Sequence, residues 1–172
     1  ARQSEDLIVA DLFEDLQHLN PEHSGFGYKI KFLEGMRGYG LKEKDLHTVF
    51  TGSTTDIPFD WSQQAKFAPF RMISVDAGHT AELAFNDLQI AFCNLLPGGI
   101  VVLDDFFHRR WPGVTEGFFQ FLHQSSAPLS SIPVLSFLWC KGKLLLTNDR
   151  DAYDIYYNGL LEQAPDLVTA YG

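Results

Sequence analysis

Two short stretches carry residue types from which a reaction centre can be built. "VDAGH" (75–79) supplies Asp76 and His79, three positions apart, and "VVLDD" (101–105) supplies Asp104 and Asp105. Each acid ends an apolar run, and a carboxylate at the end of a buried strand is costly unless it meets a partner, a cation or water. Three carboxylates converging on one sheet edge repel one another. A hard divalent cation such as Mg²⁺ removes that repulsion, because it takes oxygen ligands and keeps waters that a substrate can displace. An imidazole beside such a site, titrating near neutrality, suits the work of a general base. Taken singly, the same residues could do less: Asp76 and His79 could cap a helix, and Asp104 and Asp105 could sit in a solvated turn.

The elements that must position these groups alternate. "LIVADLF" (7–13) reads as a buried strand ending at Asp11. "YKIKFLEGMRGYG" (28–40) has helical spacing at Ile30, Leu33 and Met36, with Gly38 and Gly40 as stops. "HTVFTGS" (47–53) is a second strand, "FDWSQQAKF" (59–67) a short helix and "FRMISVDA" (70–77) a third strand. Ala84, Leu88, Ala91, Phe92 and Leu95 form one stripe and predict a helix, which Pro97–Gly99 breaks before the strand "IVVLDDF". "TEGFFQFLHQ" predicts a helix with its phenylalanines in the core. "IPVLSFLW" and "LLLTN" predict an antiparallel hairpin about the turn "KGK", and "DAYDIYYNGLLEQ" a last helix. Strands alternating with helices, and strands apolar on both faces, predict a parallel sheet covered on both sides. Ligands bind such sheets beyond the carboxyl ends of the strands. Asp11, Ser53, Thr54, Asp76, His79, Asp104 and Asp105 all fall there.

Composition narrows the partners. A formal charge of −9 argues against a nucleic-acid backbone. No apolar stretch approaches the roughly 18 residues of a membrane span, and the opening "ARQSED" carries no secretory signal. Cys93 and Cys140 lie in apolar segments without zinc or redox spacing, so they read as reduced, buried thiols of a cytoplasmic protein. His18, His23, His47 and His123 read as surface or satisfied residues. "FFHRRWPGVTEG" (106–117) reads as a loop over the pocket, where His108, Arg109, Arg110 and Trp111 could meet substrate, Trp111 as a stacking platform for a sugar.

The block "FRMISVDAGHTAELAFNDLQIAFCNLLPGGIVVLDD" resembles the fourth-strand to fifth-strand region of class I S-adenosylmethionine-dependent methyltransferases. More narrowly it is similar to the metal-dependent O-methyltransferases that act on macrolide sugars and related hydroxylated small molecules. Those proteins carry an Asp and a His three residues apart and an acidic pair on the next strand, and here 28 residues separate Asp76 from Asp104. The resemblance implies a three-layer Rossmann-like α/β sheet, mostly parallel with a C-terminal antiparallel hairpin. It implies Asp76, Asp104 and Asp105 as Mg²⁺ ligands and His79 as the base. It also implies S-adenosylmethionine contacts from Asp11, on the ribose, from Ser53 and Thr54 near the adenine, and from Asp76 and Ala77. The family's glycine-rich turn follows its first strand, and no such turn precedes Asp11. "LIVADLF" therefore matches the second strand, and residues 1–172 are expected to be one amino-terminally truncated domain lacking the usual first strand. That loss predicts a gap in the sheet between the strands ending at Asp11 and Asp76, or a substitute recruited to fill it, and an edge open to pairing with another copy.

Two other readings use the same residues. A metal-dependent phosphoesterase would employ the carboxylates without a glycine loop, although no phosphate-cradling loop is evident. A catalytically degenerate α/β binding domain would keep the scaffold alone. A receiver domain fits poorly, because its acidic pair follows the first strand, whereas here the pair comes late and Lys141 and Lys143 sit at a hairpin turn.

Overall fold

Parallel strands cannot be joined by a tight turn, so each pair in this chain is bridged by a helical crossover. The computed structural model describes residues 7–20, 22–41, 46–65, 69–124, 138–140 and 142–163. They fall into two units, Ala1–Ile57 and Pro58–Gly172.

In the first unit, β1 (Leu7–Asp11) pairs in parallel with β2 (Leu46–Thr51), bringing Asp11 opposite Thr51. Their crossover holds α1 (Lys29–Gly38). Glu14 supplies what this helix lacks at its start: its carboxylate accepts the Lys29 backbone N–H at 2.7 Å. That hydrogen bond, the largest of the influences on it, holds the Glu14 carboxyl below its usual range. The inward stripe of α1 runs through Phe32, Leu33 and the buried Met36, and Ile30 is 63% exposed. This corrects the expected phase. Phe32, with more apolar area than Ile30, turns inward to meet the buried Phe13 ring at 6.0 Å.

The second unit runs α2 (Trp61–Gln64), β3 (Phe70–Val75), α3 (Ala81–Cys93), β4 (Leu95–Leu103), α4 (Pro112–Gln124), β5 (Leu138–Cys140), β6 (Lys143–Thr147) and α5 (Arg150–Gln163). Its sheet order is β3-β4-β6-β5. β3 and β4 are parallel, while β6 is antiparallel to both β4 and β5, so the C-terminal hairpin forms as expected. Residues 132–137 of the segment assigned to the first hairpin strand (132–139), and Lys141 of its turn, lie outside the described residues. Among the described residues no ladder joins β1 to β3.

The core of this unit lies between one sheet face and the α3–α4 pair. Val101 and Leu103 of β4 stand beside Leu144 and Leu146 of β6 against Leu88, Phe118 and Phe121, all at 1% exposure or less. Burying each such side chain contributes roughly 1.5–3 kcal/mol. The α3 stripe runs as expected from Ala84 to Phe92, with Leu95 falling in β4 instead, and Asn94 closes the helix with its amide bonded to the Phe59 and Ile90 carbonyls and to Ser62 N–H.

Several expectations are corrected here. Pro97–Gly99 does not separate helix from strand, because β4 already begins at Leu95. The triplet forms an irregularity inside it, between the Phe70–Leu95 and Met72–Ile100 pairs. β3 is not covered on both faces: Ile73 and Val75 point to the core, but Met72 is 62% exposed and Ser74 is exposed too. Cys93 is exposed, since one step past Phe92 rotates it off the buried stripe; the Cys140 side chain lies outside the described residues. Phe119 is 45% exposed for the same rotational reason. α4 begins at Pro112 rather than at residue 115, because proline suits the first helical position, where its missing N–H goes unused.

Candidate active site

β3 and β4 run side by side in parallel with Val75 opposite Leu103, so their next residues, Asp76 and Asp104, emerge together at the carboxyl edge. The Asp104 N–H still donates to Val75 O at 2.9 Å, extending the ladder by one rung. Beyond it the chain turns sharply. Asp105 has φ 54° and Phe107 φ 64°, left-handed values that a non-glycine residue adopts at a cost of order 1–3 kcal/mol. Asp105 can tolerate this better than most, since aspartate is among the residues that visit the left-handed region. The turn drives Phe106 into the core at 2% exposure and sends the Asp105 carboxylate back across the strand ends.

There it meets His79. The imidazole Nε2 lies 3.1 Å from Asp105 Oδ2, with the His79 side chain only 11% exposed. One donor atom each from Asp76, His79 and Asp105 falls within 4.8 Å of the other two. Two carboxylates and an imidazole at this spacing can hold a hard divalent cation, and the oxygen-rich donor set fits Mg²⁺. Asp76 is exposed, which leaves one side of the cluster open to solvent and substrate.

Asp104 takes a different part. Its Oδ1 accepts the Asp105 N–H at 2.9 Å, and its Oδ2 accepts from Lys143 Nζ. The structure thus groups Asp76, His79 and Asp105 while tying Asp104 to Lys143. The pairing follows from register: Leu144 stands opposite Leu103, so the residue before it on antiparallel β6 falls beside the residue after Leu103. Sequence reasoning placed Lys143 at a hairpin turn and gave it no role in this site.

The segment after the turn is tightly bound. His108 N–H donates to Asp105 O at 3.0 Å, Trp111 N–H to His108 O at 3.0 Å, and Phe107 N–H to Thr115 Oγ1 at 3.2 Å. His108, Arg109 and Arg110 are exposed. Trp111 is half-buried against the core cluster, and its ring stacks on His79 with centroids 4.3 Å apart at 15°. The close approach of α4 to α3 makes this possible. A Cβ at Gly113 would run into His79 O and come within 2.9 Å of Ala81 N; one at Gly117 would run into Ala81 O and lie 2.8 Å from Ala84 Cβ. Only glycine fits at either position. The spacing of these glycines in "PGVTEG" is the signal of this close approach in the sequence.

The remaining predicted residues lie in the first unit. Asp11, exposed at the end of β1, accepts the Phe13 N–H through Oδ1 at 2.6 Å, and its backbone carbonyl accepts from Gly52. Ser53 caps the short turn Thr54–Asp56 by accepting the Thr55 N–H. Asp11, Ser53 and Thr54 therefore share the carboxyl edge of β1 and β2. Ala77 is exposed in the turn after Asp76.

No protein-family model matches the chain, and no curated protein sequence matches it. Solved structures do. The chain is similar to the O-methyltransferase NovP, with a TM-score of 0.65 and 15% identity over 87% of this chain and 62% of that one. It is also similar to the MycE methyltransferase from the mycinamycin biosynthetic pathway, solved in complex with Mg, SAH and mycinamycin VI. That match has a TM-score of 0.52 and 14% identity over 86% of this chain and 46% of the other. The chain thus spans less than two thirds of the length of either protein. At these identities the likeness speaks for the fold, the Rossmann-like α/β arrangement of methyltransferases. Among the described residues no helix is long and apolar enough to cross a membrane.

Proposed function

We propose that this chain belongs to a cytoplasmic enzyme that transfers a methyl group from S-adenosylmethionine to a hydroxyl of a sugar or natural-product-type small molecule, assisted by Mg²⁺. The observation that carries the reading is the gathering of Asp76, His79 and Asp105 within 4.8 Å at the carboxyl edge of two adjacent parallel strands. The fold likeness to O-methyltransferases supports it. A divalent cation bound by Asp76 and Asp105, with Asp104 alongside, would lower the acceptor hydroxyl's pKa. In the reaction the acceptor's O–H bond breaks and its proton passes to His79, the new O–CH₃ bond forms, and the donor's S–CH₃ bond breaks. His79, whose Nε2–H points to Asp105 Oδ2 at 3.1 Å, would receive the proton at its other ring nitrogen, Nδ1, and Asp105 would stabilise the resulting imidazolium. The cofactor contacts proposed are Asp11, Ser53, Thr54, Asp76 and Ala77. His108 and Arg109 are proposed to line the acceptor's approach. Holding donor and acceptor in line supplies much of the acceleration, ~7–11 kcal/mol for well-oriented pairs.

The test is calorimetric titration with S-adenosylhomocysteine and Mn²⁺, followed by transfer assays on hydroxylated glycosides. His79→Ala is expected to keep cofactor binding and lose turnover by ~10²–10⁴-fold. Asp76→Ala is expected to remove the response to EDTA. Absent cofactor binding, or hydrolysis of a generic phosphate ester at the same residues, would overturn the reading.

A further inference from the structure

We infer that Lys143 is a positioning residue of the ion centre: its ammonium withholds Asp104 from the ion, so that the centre is built from Asp76, His79 and Asp105 with a standing positive charge beside it. Strand register puts the lysine there. Lys143 opens β6 directly after the tight turn at Gly142, whose φ is 84°. Two ladders fix its place, since it pairs with Cys140 of β5 while the next residue, Leu144, pairs with Leu103 of β4. Leu103 and Leu144 both belong to the core, so their neighbours Asp104 and Lys143 turn together to the other side.

Both Asp104 oxygens are engaged as a result. Oδ2 accepts from Lys143 Nζ, and Oδ1 accepts the Asp105 N–H at 2.9 Å. Asp76, His79 and Asp105 bring donor atoms within 4.8 Å of one another, and Asp104 is not in that group. The bond to Asp105 N–H braces the left-handed turn that carries the Asp105 carboxylate. The ion pair adds little to stability, because the Lys143 side chain is 45% exposed and pairs in water are weak. Its effect falls on the ion instead. A dication approaching Asp105 meets an ammonium on the neighbouring acid, and repulsion between like charges lowers its affinity. Withholding one carboxylate also leaves an octahedral ion more positions for water and for an acceptor oxygen.

The ion itself rests on the proposed function, but what Lys143 does to Asp104 can be measured without cofactor or turnover. Mn²⁺ is the probe, titrated calorimetrically into the intact chain. Lys143→Met should bind it roughly tenfold more tightly, the order expected of one unit charge acting on a dication through water. Affinity equal to the parent's or weaker would overturn the inference. In the double variant Lys143→Met/Asp104→Asn neutral side chains replace the pair, and the Asn oxygen can still accept the Asp105 N–H. Its affinity should stay within about threefold of the parent's, since no net charge is lost; a larger loss would make Asp104 a ligand and sink the idea. Should the parent bind no Mn²⁺, the metal-assisted step of the proposed function falls. Uptake by Lys143→Met alone would then still bear the inference out, and uptake by neither would end it. Acetylation of Lys143 by acetic anhydride, read peptide by peptide by mass spectrometry, gives a second readout. It should run several-fold faster in Asp104→Asn than in the parent, and saturating Mn²⁺ should leave the parent's rate unchanged. A rate that Mn²⁺ raises would mean that the ion displaces the lysine from Asp104, contrary to the inference. Absent binding of S-adenosylhomocysteine would sink the proposed function and leave these measurements to decide this one.

Discussion

Adding one methyl group at two helical glycines should move stability in opposite directions. Gly117 lies in the interior of α4 and Gly159 in that of α5. In isolation both Gly→Ala changes favour the helix by roughly 0.8–1 kcal/mol. At Gly159 nothing lies within 4 Å of the added Cβ, so the full gain should appear. At Gly117 the Cβ meets Ala81 O, Ala84 Cβ at 2.8 Å and Phe85 N at 3.0 Å, two of them backbone atoms of α3 that cannot rotate away. Restoring an ordinary 3.4 Å contact to Ala84 alone parts the helices by about 0.6 Å, and this loosens Phe118 and Phe121 in the core. Overpacking of this kind costs typically ~1–3 kcal/mol, and the propensity gain offsets about 1 of it, for a net loss of up to ~2 kcal/mol. At ~2–4 °C per kcal/mol for a chain of this size, calorimetry should show Gly117→Ala melting lower, by up to about 8 °C, and Gly159→Ala about 2–4 °C higher. If both variants melt higher than the parent, α4 does not sit on α3 as described, and the seat of Trp111 over His79 goes with it.

Asn94→Ala should be among the costliest single changes outside the apolar core. It strips the buried Ser62 N–H and two carbonyls of their partner, and a loss of ~2–4 kcal/mol in denaturant titration is expected. A loss below 0.5 kcal/mol, on the order of a surface substitution, would contradict the bonding. Lys143→Met should change stability by under ~1 kcal/mol, since the Lys143 side chain is 45% exposed. It should also tighten Mn²⁺ binding by removing a competing cation from Asp104, and weaker binding in calorimetry would mean instead that Lys143 orders Asp104 for the ion. Cys93, although exposed, has its thiol pushed above the ordinary range, first by desolvation and then by the Asp60 charge. Its alkylation should therefore rise with pH along a curve displaced upward from that of a free thiol. The sign for stability follows: the contribution is full below the unfolded thiol's pKa and is lost as pH climbs through the elevated folded value. A curve at or below the free-thiol position would refute this.

Sequence alone carried the order of elements, because periodicity reports which faces are buried whatever they pack against. The helical stripe from Ala84 to Phe92 and the hairpin after 138 are local patterns, and the structure has both, although Leu95, expected on that stripe, opens β4 instead. It also carried the residues at the strand ends, since buried strands that end in acids stand out in any apolar chain. The sequence could not carry facts that depend on distances between segments far apart in the chain. Whether Ile30 or Phe32 faces inward depends on Phe13; which acid joins His79 depends on a left-handed turn at Asp105; and Asp104 is claimed by a lysine 39 residues away only through strand register. The stack of Trp111 on His79 has the same origin. Two glycines in α4 bring helices separated in sequence into contact, and a side chain's neighbours are set by packing that single-residue preferences do not encode.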